Sequence, residues 1–460
     1  MRYITPFLAA FVIVGLVAAH AQPLSRSARS VGMANSGSSL VTGVDAFGVN
    51  PANLAAPSGS LVSIGIFPIG LVGGTDFLDF GTYQKYFTGI NDGSGNLQQY
   101  YLTDQDKSFL LDQFGGNTGR IMLDVGFKLL AVNVNSPVGA FGFYLGDRVA
   151  ANFTLSKDYA DFLLNGNPPG KTFDFSETQF ASSWTREYGL SYAVNITPVR
   201  RVLSVQFGAT AKLVQGFAYF GTERFQSTFT TNADTYSITG RSDMRANYAG
   251  TEFFNRAINP FAFDLFPRPV GTGFGLDLGV STTYLSFFTV AASVTDIGTI
   301  NWNRSAHSIV AESDFLIDNV ASDDQLSALW DKLNGDDIAV DAFSSSLPTA
   351  FHLGASVDFR NFYFYRAPLA LAVAVHKGFN DEPGNSTNWR IGLGGEWEGL
   401  DGFPLRTGIT LGGYQPVMIA AGIGIRVERF TLDIATDNIS SVFSNNFSTA
   451  SLSIGSRLDF

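Results

Sequence analysis

"VMIAAGIGIRVERFTLDIAT", Val417 to Thr436, reads as two strands joined by a turn. Val417, Ile419, Ala421, Ile423, Ile425 and Val427 alternate with Met418, Ala420, Gly422, Gly424 and Arg426. Glu428-Arg429 makes the turn, after which Phe430, Leu432 and Ile434 face one way and Thr431 and Asp433 the other. Period two with one apolar face marks a half-buried strand. The pattern recurs in Leu203-Val205-Phe207-Ala209-Ala211-Leu213, with Gln206 and Lys212 opposite. It recurs again in Phe351-Leu353-Ala355-Val357, with His352, Gly354 and Asp358 opposite. Each signal is weak alone, and their number is what counts.

Working outward gives fourteen strands: 60–72, 119–134, 138–156, 176–196, 201–218, 270–283, 286–301, 345–358, 363–377, 386–398, 404–413, 416–427, 428–437 and 448–460. The connections alternate. Those at 135–137, 197–200, 284–285, 359–362, 399–403 and 427/428 are short; those at 73–118, 157–175, 219–269, 302–344 and 438–447 are long. Short turns at one end and long loops at the other are the layout of a transmembrane barrel, here with both chain ends on the short-turn side. Alternation alone also fits a soluble sandwich. The inward set discriminates: Asp124, Lys128, Glu187, Gln206, Lys212, Asp277, His352, Glu396, Arg426, Asp433 and Arg457 interleave with large apolar residues. Fourteen strands enclose more space than side chains fill, so the lumen holds water, a plug or a ligand. The fold class is therefore all-β: a fourteen-stranded antiparallel transmembrane barrel with short helices in its long loops.

The start of the chain fits export. Met1-Arg2-Tyr3 precedes an apolar run, Ile4 to Ala19, and the small-x-small site Ala19-His20-Ala21. That is a signal peptide over 1–21, too short and wrongly flanked for an anchor. Cys is absent, which removes disulfides, a lipidated N-terminal Cys and thiolate metal sites. The formal net charge of −11 carries no nucleic-acid footprint. Past the signal no apolar run is long enough for a spanning helix. The last strand places Leu452, Ile454, Leu458 and terminal Phe460 on one face. It resembles the signal by which outer-membrane barrels are recognised by their assembly machinery.

Between signal and first strand lies a polar segment, Gln22 to Gly59, containing "RSVGMANSGSSLVTGVDAFGVNPANLA" from Arg29 to Ala55. This segment, with "SVTDIGTINW" (Ser293–Trp302) and "LPTAFHLGASVDF" (Leu347–Phe359), resembles the FadL-like outer-membrane transporters of hydrophobic compounds, including Bacteroidota-type barrels. The resemblance covers the N-terminal motif, the strand count and scattered motifs. It implies three regions: signal 1–21, N-terminal hatch 22–59 and barrel 60–460. Asn50, Pro51 and Ala52 match the hatch motif. Asn50, pushed extended by Pro51, suits a local cap. The implied function is passive uptake of small hydrophobic molecules, gated by the hatch. The alternative is a barrel component or binding partner of a type IX-like secretion system, since related barrels share the hatch. A soluble exported β-protein is the third reading. Implied partners are outer-membrane lipids and lipopolysaccharide, a hydrophobic ligand and the assembly machinery, with the barrel a monomer.

Three regions carry site expectations. In the third long loop, Phe253, Phe254, Phe261, Phe263 and Phe266 are many apolar groups for an exposed segment, which suits ligand capture or a cap over the mouth. The fourth, 302–344, is acidic and predicts a helix begun by the box Ser322 to Gln325 and ended at Asn334-Gly335. Its acids lack the spacing of a calcium loop. In the third strand, Asp147 shares a face with Phe141, Phe143 and Leu145. It lies at the outer rim, or a bulge at Gly146 turns it inward. The resemblance implies a kinked third strand there, with Gly146, Asp147 and Arg148 at a lateral exit. His352 and His376 face the lumen, but the expected hairpin pairs His352 near Leu369, far from His376. No nucleophile arrangement, metal cluster or phosphate-cradling loop is found, so no enzyme, metal or cofactor is expected.

Overall fold

Ladder pairing runs strand to neighbouring strand around the molecule and returns to the first. The computed structural model describes residues 27–57, 59–91, 97–98, 100–199, 202–250, 267–319, 323–413 and 415–460. The signal peptide, Ser322 and the five capture phenylalanines fall outside these residues.

The ring begins with β1, in two pieces (Val62–Ile66 and Ile69–Thr75), then β2 (Thr118–Ser136), β3 (Gly139–Ser156), β4 (Gln179–Val199) and β5 (Leu203–Phe225). It continues through β6 (Gly271–Tyr284), β7 (Phe288–Trp302), β8 in two pieces (Phe343–Ser346 and Ala350–Asp358) and β9 (Leu369–Gly378). It ends with β10 (Arg390–Trp397), β11 (Leu405–Gly412), β12 (Val417–Val427), β13 (Phe430–Thr436) and β14 (Thr449–Asp459). β14 pairs back onto β1, Ser63 opposite Asp459 and Ile69 opposite Ile454, which closes a fourteen-stranded antiparallel barrel. The hairpin at Glu428-Arg429 forms, with Val427 opposite Phe430.

The two faces of each strand meet different surroundings. On β6, Phe274, Leu276 and Leu278 are exposed outward while Asp277 and Ser281 are buried inward. On β12, Val417, Ile419 and Ile423 point out, with Met418 and Ala420 in. A closed sheet with an apolar exterior has no free edge strand, the condition for strands to cross a bilayer. Among the described residues no helix is long and apolar enough to cross a membrane.

Three departures from the sequence reading have physical causes. The stretches 219–269 and 302–344 carry strands as well as loop: Ile238–Ala249 pairs in full with Ala306–Ile317 beyond the barrel end. The helix Asp323–Asn334 follows, and Gly335 at φ +68° ends it. The β8–β9 register is corrected. The connection runs from Phe359 to Pro368, longer than 359–362, because a 3-10 turn at Phe359–Asn361 is pinned by Arg360 on Asp358 and Phe362 packs on Phe287. Consequently His352 sits opposite His376.

The third departure is in the wall. Val62 to Ile66 pair regularly with Val134 to Leu130. Then Phe67 takes φ +45° and Pro68 has no N–H to give. Pro68 O accepts from Lys128 N at 3.0 Å, and Thr75 opposite Ile121 is the next pair on that side. Ile69 to Gly74 stay paired with β14. Among the described residues, the β1–β2 ladder thus lapses along Ile69–Gly74, while the two strands stay side by side in one register.

Candidate functional site: the filled lumen

The N-terminal segment lies within the ring. It is a chain of tight turns: a helix at Ala28–Val31 and 3-10 turns at Gly37–Ser39, Gly43–Ala46 and Pro51–Ala55. Small residues let it turn this sharply, and almost all of it is buried. Ser27 caps the helix by accepting from Ser30 N, and Asn50 caps the last turn by accepting from Ala52 N.

Asn50, Pro51 and Ala52 rest on β5, β6 and β7. Asn50 Nδ2 donates to Val280 O at 3.1 Å and Ala292 O at 3.4 Å, and Ser293 Oγ donates to Val49 O. The partners of Asn50 on the wall are main-chain carbonyls, while Ser293 meets the segment with its side chain. The contact is so close that glycine is required beneath it: a Cβ on Gly208 would lie 2.3 Å from Pro51 C, and one on Gly279 would lie 2.0 Å from Asn50 Oδ1. Lumen-face glycines are visible in the sequence as Gly at alternate strand positions, a sign of close backbone approach.

Charge holds the opposite side. Arg29 gives a paired contact to Glu396, 2.6 and 2.9 Å. Arg406 bridges Glu396 and Asp433, both at 2.7 Å. Two cations and two carboxylates balance, which a buried network needs to offset its desolvation, and Arg360 reaches Glu396 at 3.8 Å from its own pairs with Asp358 and Glu398. Arg457 pairs with Asp45. His376 Nε2 lies 2.9 Å from Asn35 O, its Nδ1 is 2.8 Å from His352 Nδ1, and His352 Nε2 is 3.1 Å from Thr295 Oγ1. One neutral tautomer satisfies the chain: Thr295 donates to His352, His352 to His376, and His376 to Asn35. Under β4–β7, Lys212 meets Asp277 at 2.8 Å and Asp296 at 2.5 Å, with Glu187 at 3.6 Å. The sequence reading named most of these inward groups but could not pair them, since pairing depends on register and on the inserted segment.

β3 runs unbroken through Gly146, Asp147 and Arg148, in register with β4 from Ala140 to Thr154. The ladder shift here belongs to β2, between Lys128 and Leu130. Asp147 keeps its outward parity yet is only 3% exposed. Arg186 on β4 grips it from Nε at 2.5 Å and Nη2 at 2.8 Å, and Trp184 and Phe217 cover the pair. Arg148 points inward to Asp124 at 2.6 Å. A cavity of about 70 Å³ lies beside the lapsed ladder, bordered by Pro68 and Ile69 of β1, Phe127 and Lys128 of β2, and Asp147 and Arg148 of β3. Asp45 of the N-terminal segment and Glu187 of β4 border it as well. Among the described residues no cluster of His, Asp and Glu is arranged to hold a metal.

Solved structures resemble this chain over nearly their whole length at low identity. A monoaromatic hydrocarbon channel mutant, TodX deltaS2S3, has TM-score 0.48 and 11% identity, covering 95% of this chain and 99% of that one. A Pseudomonas aeruginosa FadL homologue has TM-score 0.44 and 13% identity, covering 96% and 100%. The CymD monoaromatic hydrocarbon channel has TM-score 0.37 and 10% identity, covering 96% and 99%. No curated protein matches the sequence. A family model matches residues 79–437, and the chain belongs to that family, described as DUF5723, a family of unknown function.

Proposed function

We propose that the chain is a bacterial outer-membrane channel for passive uptake of small hydrophobic molecules, with residues 22–59 as the hatch that gates it. The observation that carries this reading is the lapse of the β1–β2 ladder beside the N-terminal segment, with a cavity behind it. Ile69, Phe127 and Ile454 border the cavity there. A hydrophobic solute leaving sideways past them would enter lipid without crossing water, which spares about 0.8 kcal/mol per methylene. Gly146, Asp147 and Arg148 border the same cavity, so the exit is shared by β1, β2 and β3. A space of about 70 Å³ takes only a few waters, so passage requires the hatch to move. First capture is assigned to the phenylalanine cluster Phe253 to Phe266, on its composition.

The test is a deletion strain scored for uptake of a radiolabelled aromatic hydrocarbon. Reduced uptake, restored by the full chain, supports the channel. Normal uptake with defective export of secreted proteins would replace it with the secretion-component reading.

A further inference from the structure

The connection between β9 and β10, residues 379–389, does not stay with its own strands. Its anchors are on β3, which lies across the ring: the third strand against the ninth and tenth of fourteen. Asn152 Nδ2 donates to Asp381 O at 3.2 Å and Glu382 O at 3.1 Å, and its Oδ1 accepts from Gly384 N at 3.3 Å. Arg148 Nη2, while holding Asp124, also donates to Gly384 O at 2.8 Å. The near end is tied to β8 by Asn385 Nδ2 donating to Thr349 O at 2.9 Å. Pro383, Gly384 and Asn385 are buried although they are the tip of a loop.

Gly384 is fitted to this place. Its φ of +77° is one that L side chains avoid, and a Cβ there would lie 2.0 Å from Arg148 Nη2. A surface turn requires no such fit. The segment enters from the end of the barrel opposite the chain termini, whereas the N-terminal segment continues into β1 from the end that carries them.

We infer that residues 379–389 form a second closure of the lumen, a strap latched on Arg148 and Asn152 that acts in series with the hatch and selects solutes by size before they reach it. This rests on the channel reading above. Two closures in series multiply: a closure open about a tenth of the time passes ~tenfold less than a clear path. Freeing one leaves the other in control.

The experiment compares four proteins in liposomes for permeability to small sugars of graded size: the full chain, a deletion of 27–57, a strap variant in which 380–388 is replaced by Gly-Ser, and the combination. Retained heat-modifiable migration confirms that each barrel is closed. The expected result is permeability in the combination about tenfold above either single variant, with a larger size limit. If the 27–57 deletion alone matches the combination, the strap is not a closure, while the channel stands. If the combination passes nothing, the channel reading falls and the strap with it. A second arm avoids loop replacement. The chain has no Cys, so Asn152→Cys with Asp381→Cys can be joined by a cleavable bis-maleimide in the 27–57 deletion. Joining should lower permeability and cleavage restore it; indifference to the cross-link overturns the proposal.

Discussion

The arc from β9 to β12 and the arc of β1 and β2 border the same N-terminal segment in opposite ways. On the first arc the ladders are regular, from Leu369 opposite Trp397 to Leu411 opposite Val417. The segment's backbone lies directly on glycine there: a Cβ on Gly394 would fall 2.3 Å from Met33 O. The balanced quartet of Arg29, Glu396, Arg406 and Asp433 adds charge to shape. On the second arc the β1–β2 ladder lapses, a cavity lies alongside, and the polar ties are Lys128 Nζ to Phe47 O and Asn133 Nδ2 to Leu54 O, with Arg457 of the adjoining β14 on Asp45. The segment is held by charge and backbone contact on the first side, and on the second by an apolar cluster, Val44, Ala46, Phe47 and Leu54 with Ala131 and Tyr144, beside the cavity. The cavity gives room on that side only, so the proposed motion and exit are tested on this arc.

The hold on the first side is broken most severely by Glu396→Ala. This leaves Arg29 and Arg406 buried beside each other without their shared carboxylate, a loss on the order of 3–5 kcal/mol. The expected outcome is a segment cleaved by added protease at Arg29 in the folded barrel, and increased dye permeability. Unchanged protection would show that shape alone holds this side. Gly394→Val probes shape. Its branched side chain meets Met33 O, and overpacking of this kind costs about 1–3 kcal/mol, read as a lower urea midpoint for release of the segment.

The second arc is tested by closing it. The constant register between Pro68 opposite Lys128 and Thr75 opposite Ile121 puts Gly70 level with Gly126. Joining Gly70→Cys to Gly126→Cys should cut hydrocarbon uptake several-fold, in line with loss of the proposed low-cost path into lipid, while leaving protease protection of the segment unchanged. If uptake persists, the lapse is not the exit and the contrast between the arcs is structural only.

The same contrast explains what the sequence could carry. Strand number, parity and inward set were legible because a lipid-facing sheet imposes period two on every strand. The Glu428-Arg429 hairpin was legible because it leaves no room for a register choice. The β8–β9 register was not. Tyr363 to Pro368 reads as strand by its aromatics, yet it belongs to the connection that begins at Phe359, and a turn drawn too short separated two histidines that face each other. The interruption of β1 was read through as one strand, 60–72, although Pro68 marks it; which neighbour's ladder lapses depends on β2 and β14 together. The strap was least legible. Asn152 and Gly384 are 232 positions apart and neither belongs to a motif.

The smallest effect concerns pH and the strap. Glu382 lies in residues 379–389, and its carboxylate accepts from Ser346 N at 3.3 Å. Burial pushes its pKa from 4.5 up to about 7, because the ionised form is poorly solvated there; the Ser346 contact opposes this only in part. Asp381 beside it is turned to Thr387, and Tyr219 of β5 is the titratable group facing it from the wall. A carboxyl with a raised folded pKa binds its proton more tightly when seated. The resulting stabilisation of the strap is therefore complete below about pH 4.5 and is lost as pH rises through about 7. Partial exposure screens the effect, leaving about 1 kcal/mol. In the 27–57 deletion, permeability should rise by several-fold between pH 5 and pH 8, and Glu382→Gln should hold the low-pH value throughout, since the amide keeps the shape and cannot ionise. A pH profile that Glu382→Gln does not flatten would assign the titration to another group, and a profile flat in the parent would mean that Glu382 is solvated whenever the strap is seated.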